Sequence, residues 1–140
     1  MKYEITKEAK KVAGVTLHRI KALKDFGDVK KGDKGAWIEK EDNLSQNGTC
    51  WAYNDAIIYD DAKVYGNAKI CNNAKVYGFA EIYDNAKVCG KAKVYGSAKI
   101  YDDAKIYDNA KVYGNVKICN TEIYGYIKIC NNAKTYNDTK

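Results

Sequence analysis

Proline is absent from this 140-residue chain, and histidine occurs once. No stretch is apolar for long enough to span a bilayer. The opening residues, Met1 to Gly14, are too polar for the apolar core of a secretion signal. The cysteines number five, an odd count with no C-x-x-C pair, which leads to an expectation of free thiols in a reduced cytoplasm. A Gly-rich phosphate loop, an H-E-x-x-H helix and a Ser-His-Asp set are all missing. The net charge of +6 divides evenly between the first fifty residues and the remainder, with no basic tail or block, so charge adds only a mild lean toward acidic partners. The length suits one modest domain.

What is present in excess is tyrosine, thirteen in all, and its cause is a repeat. From Ala56 the chain runs in six-residue units: AIIYDD, AKVYGN, AKICNN, AKVYGF and onward. A single five-residue unit, VKICN at Val116–Asn120, interrupts them. Alanine and the Val or Ile two places later alternate with Lys and Tyr, which is the period of a strand and not of a helix. The fifth position is always Gly, Asn or Asp, as at Asp60, Gly66, Asn72 and Gly78. Those residues tolerate positive φ. Each unit is therefore a short strand followed by a tight corner, a pattern with no place for proline.

Such a strand cannot bury its inner face alone. Three units coiled into an 18-residue turn, each turn pairing in parallel with the next, solve the problem. Ala and Val or Ile then point inward, while Lys and Tyr point out. The expected fold is an all-β, left-handed parallel β-helix, a triangular solenoid over residues 50–140. Residues 1–49 read as a β cap over one open end. Within the cap, Lys2–Thr6 and Thr16–Leu23 are candidate strands, joined by a polar segment that is either extended or a short helix.

The six-residue pattern resembles the hexapeptide-repeat superfamily of left-handed β-helices, the trimeric acyltransferase-like proteins. The stretch from Thr16 to Ile38, then Glu41 to Asn47 and on to Cys50 and Trp51, is similar to the YdcK-like branch, common in phages and prophages. The resemblance implies a coil-borne catalytic His in acyl-transferring members. The one histidine here, His18, lies in the cap instead. No catalytic, cofactor-binding or metal-binding residue is assigned.

The outward rows carry the remaining information. Stacking at intervals of 18 sets Tyr59, Tyr77, Tyr95 and Tyr113 on a first face, beside Lys75, Lys93, Lys111 and Lys128. Tyr65, Tyr83 and Tyr101 fall on a second face, and Tyr53, Tyr107 and Tyr124 on a third. Phe79 and Tyr126 put aromatics at corners that are otherwise polar, and the short unit shifts the third face near Tyr126. Stacked tyrosines serve either to stabilise a sheet or to bind a partner. Cys71 and Cys89, 18 apart, stack on one face, where a disulfide between them is geometrically open but thiols simply filling the Tyr slot are the expectation, and Cys50 takes an inward slot. The expected role is non-enzymatic protein interaction, with partner contacts at Tyr59, Tyr77, Phe79, Lys93, Tyr95, Lys111, Tyr113 and Tyr126. A homo-oligomer is expected as well. The resemblance adds the expectation of a phage- or prophage-type inhibitor that binds a host factor such as a defence nuclease. Nucleic-acid binding by the Lys and Tyr rows is the alternative, and acyl transfer the third.

Overall fold

The computed structural model describes residues 1–131 and, as backbone, residues 134–136. It is an all-β solenoid of stacked parallel coils with three faces. Two faces are five-stranded sheets, and the first is an eight-stranded sheet because the N-terminal segment adds to it. The inward alanines from Ala56 to Ala110 are fully buried, and Val64, Ile82, Ile100 and their equivalents form the stacked core between them. The corners behave as the repeat requires. Asp60, Asn72, Asp84, Asp102 and Asp108 all have positive φ. Several of these side chains also accept a hydrogen bond from the same corner one coil on, as Asp60 does from Gly78 N at 3.1 Å. Where glycine takes the corner the coils close further: a Cβ on Gly96 would lie 2.5 Å from Gly114 N.

The five-residue unit changes the ladder step from 18 to 17 without breaking it. Lys99 still pairs with Lys117, and Lys105 then pairs with Glu122 and Lys111 with Lys128. The lost residue is a corner residue, so inside and outside do not exchange. The expected shift of the third face reduces to a looser ring stack, 5.3 Å between Tyr107 and Tyr124.

Both candidate cap strands are present, and the first is longer than the pattern implies. The first two strands of the cap, β1 (Tyr3–Val12) and β2 (Val15–Ala22), form one antiparallel hairpin. The turn is Ala13–Gly14, both at positive φ. The polar segment between the candidate strands is thus extended. Its apolar alternation is masked because much of β1 faces solvent. β2 pairs antiparallel with β3 (Lys34–Ile38), and β3 begins the parallel stack by pairing with Ile57–Ile58.

Ladder polarity explains what the cap must do. Along the stack, Cys50 N donates to Gly66 O and Trp51 N to Ala68 O, so each coil's amides reach the carbonyls of the next. The first coil's carbonyls have no preceding coil to donate to them. The buried Lys2 ammonium supplies that donor, 2.8 Å from Cys50 O and 3.4 Å from Gly48 O. The Tyr3 hydroxyl does the same for Leu44 O. Gln46 pairs its amide with the Lys2 and Tyr3 backbone. Asn43, fully buried, accepts from Glu39 N and Lys40 N and donates to the Asp60 and Ala62 carbonyls. No helix among the described residues is long and apolar enough to cross a membrane.

Candidate interaction face

The first face is built on the strands Ile57–Ile58, Lys75–Val76, Lys93–Val94, Lys111–Val112 and Lys128–Ile129, in that order after β3. Exact register stacks like residues. The rings of Tyr59, Tyr77, Tyr95 and Tyr113 lie 4.8–4.9 Å apart and within 6° of parallel. Lys75, Lys93, Lys111 and Lys128 stand directly beside one another across the same strands. None of these four lysines forms an ion pair among the described residues. Lys91, exposed at the adjoining corner, adds a fifth positive charge.

Of the anticipated contact residues, the structure brings Tyr77, Tyr95, Tyr113, Lys93 and Lys111 together on this face. Tyr59 belongs to the same row but is only 8% exposed, so it is unavailable as a contact. Its cover is Leu17, Trp37 and Ile57, with Val12 and Val15 of the hairpin packed alongside. The sequence does carry a trace of this: Trp37 and Ile57 stand in the outward slot that elsewhere holds Lys. Lys10 Nζ and Arg19 Cζ each lie 4.4 Å from the Trp37 ring centroid. The Trp37 indole N–H is the one buried side-chain polar group without a partner among the described residues. Phe79, 65% exposed, sits at the corner beyond Tyr77, next to the Lys40–Asp61 ion pair. Tyr126, 88% exposed, sits at the opposite corner, on the lysine side. These two flank the face and do not join its row.

Burial raises the pKa of Tyr77 to about 12, with the neighbouring Tyr59 and Tyr95 hydroxyls adding to the shift. A hydrogen bond with Cys130 raises that of Tyr113. Tyr77 and Tyr113 are therefore uncharged at neutral pH, and because each ring covers its neighbour's face the row offers ring edges and hydroxyls.

The other faces are interrupted. On the second face Tyr65, Tyr83 and Tyr101 stack at 4.9 and 5.2 Å, but Glu81 breaks the lysine row and bonds Tyr65 OH at 3.0 Å. On the third, Tyr53 gives its hydroxyl to Asp28 at 2.7 Å, and Lys69 lies 3.8 Å from the same carboxylate. There the tyrosine row is also broken by a disulfide, Cys71–Cys89, which corrects the expectation of free thiols at these positions. Parallel pairing in register sets their Cα atoms 4.6 Å apart, within bridging range. Cys50, Cys119 and Cys130 are free.

His18 belongs to β2 of the hairpin, in register with Ile38 of β3, and its Nδ1 lies 3.2 Å from the Thr6 carbonyl oxygen. No group of three or more His, Cys, Asp or Glu converges as a metal site among the described residues.

No family model matches the chain. Over 44 residues it is 46% identical to the uncharacterized acetyltransferase YdcK of Escherichia coli strain K12. The aligned stretch is 31% of this chain and spans only 14% of that protein's length. The chain is a β-solenoid built of six-residue repeats, and over that short stretch it is similar to YdcK.

Proposed function

We propose that the chain is a protein-interaction module that binds through its first face. One observation carries the reading: three accessible stacked tyrosines, Tyr77, Tyr95 and Tyr113, run unbroken beside four in-register lysines without ion-pair partners among the described residues. Large, stiff aromatic rings lose little side-chain entropy on binding, and they recur among the residues that dominate interface energies. In-register like charges repel across a sheet, so the lysine row gains most from opposing charge brought by a partner. The role needs no cofactor or metal.

Acyl transfer is the activity named for the E. coli relative. It finds less support here, because the only imidazole is on the hairpin with one nitrogen against a carbonyl. The test is capture from lysate with tagged protein, identified by mass spectrometry. Proteins held by the wild type should be lost with Tyr95→Ala, Tyr113→Ala and kept with Tyr83→Ala, Tyr101→Ala. Loss with the second pair alone would overturn the choice of face.

A further inference from the structure

The spacing and charge of the first face define the kind of partner it fits. We infer that its ligand is an acidic amphipathic α-helix of a partner protein, lying along the solenoid axis. This inference rests on the interaction reading above and deepens it.

The face presents two parallel stripes. One is a row of rings repeating every 4.8–4.9 Å, Tyr77 to Tyr95 to Tyr113. The other is the ammonium row of Lys75, Lys93, Lys111 and Lys128, two positions away on the same strands. Two positions along a strand separate the stripes by about 6.7 Å. A helix repeats its surface every turn, a rise of about 5.4 Å, so successive turns drift from successive coils by only about 0.5–0.6 Å each. A strand laid on the same axis repeats its side chains on one face every ~6.7 Å, and it falls out of step within two coils. Duplex DNA, at ~3.4 Å per nucleotide along each strand, also mismatches the lysine row.

Adjacent stripes on one helix are about a residue-to-residue rotation apart, so acidic and apolar stripes can meet the lysine and tyrosine rows together. Charge decides the sign of the partner. Around this face beyond the second coil stand Lys75, Lys91, Lys93, Lys111 and Lys128, against the single carboxylate of Asp108 at its corner. A second copy presenting the same face would bring five more ammonium groups and only one carboxylate, Asp108, to set against them. A helix with Asp or Glu on one stripe neutralises the row. The flanking Phe79 and Tyr126 then bound the helix at opposite corners.

The probe is a fluorescein-labelled synthetic peptide of about 18 residues, or five turns, with Glu on one stripe, Leu and Phe on the next and Ala elsewhere. Its controls are a scramble of identical composition, a version with Lys replacing Glu, and a single-stranded oligonucleotide. Anisotropy should show saturable binding of the acidic helix, and weaker binding of the scramble. Lys93→Glu with Lys111→Glu should weaken it by about tenfold or more, while Lys87→Glu with Lys105→Glu, the in-register pair on the third face, leaves it unchanged. Circular dichroism checks that both variants keep the β fold.

The inference fails if the acidic helix does not bind. It also fails if the scramble binds equally, if the oligonucleotide displaces the helix, or if the third-face variant loses as much. Light scattering that shows a dimer dispersed by Tyr95→Ala would assign the face to a second copy and overturn it as well. If captured partners depend on Tyr95 and Tyr113 while no acidic helix binds, this inference falls and the interaction reading stands. If capture is indifferent to Tyr95 and Tyr113, that reading falls first.

Discussion

The two halves of the solenoid use the same repeat but are secured differently. Toward the N-terminus the stack is sealed: Tyr3, Lys2, Leu44 and Trp51 close the end and are almost fully buried. There the hairpin covers the outer row, and the Cys71–Cys89 bridge ties neighbouring coils. Toward the C-terminus no such cover is seen among the described residues. After the five-residue unit, Ile123 remains 6% exposed, but Ile127 is 45% exposed and Tyr124 58%. In a linear stack each coil is stabilised mainly by its neighbours, so the sealed half should hold more of the free energy than the less covered described coils around Ile123 to Ile129.

The largest test of that contrast is to unseal the end. Tyr3 is fully buried, packs edge-on against Trp51 with 6.0 Å between centroids, and caps a carbonyl. Tyr3→Ala should cost about 3–5 kcal/mol in urea unfolding, through the cavity and the stranded Leu44 carbonyl. Ile129→Ala, at a half-buried inward slot of the last first-face strand, should cost about 1–2 kcal/mol. Equal costs would mean that the ends are equivalent and the cap is incidental.

Reduction comes next. The Cys71–Cys89 bridge closes a loop with a sequence separation of 18. In the chain-entropy account a loop of that size is worth about 3 kcal/mol. Intact mass should show one disulfide before reduction. Reduction, or Cys71→Ser with Cys89→Ser, should lower the unfolding midpoint and speed amide exchange on the third face before the first. If the untreated protein carries five free thiols, the pair acts as two ordinary outward residues.

Periodicity made much of this legible. The spacing of 18 placed Tyr77 on Tyr95 and Tyr95 on Tyr113, and the corner residues announced positive φ at Asp60 and Asn72. Cys50 was correctly placed inside by its slot. What stayed hidden depends on where non-repeating chain folds back. A lysine at position 2 reads as solvent-facing until a row of unpaired carbonyls is set beside it. Asn43 reads as a loop residue until Asp60 O and Ala62 O converge on its amide. Tyr59 matched its row in every respect, and only the hairpin makes it different. The disulfide was undecidable from spacing, because the same 18-residue step serves two free thiols or one bond.

The smallest effect separates two members of one row, Tyr59 and Tyr95. Tyr59 stacks on one ring, Tyr77 at 4.9 Å, and Tyr95 on two, Tyr77 at 4.8 Å and Tyr113 at 4.9 Å, so ring stacking alone predicts the larger loss at Tyr95. Cover distinguishes them. Tyr59 is packed against Leu17, Trp37 and Ile57, and its truncation opens a void under the hairpin. Tyr59→Ala should therefore cost about 2–4 kcal/mol. Tyr95 is only partly buried and points away from the core, so Tyr95→Ala forfeits the cross-strand contacts alone, about 0.5–1 kcal/mol. Chemical unfolding midpoints, with the slope held constant between variants, measure both. A loss at Tyr95 as large as that at Tyr59 would make the row a structural spine along its whole length, and would remove the reason for reserving its open part for a partner. A small loss at Tyr95, combined with loss of binding, would assign stability to the covered end of the row and recognition to the open one.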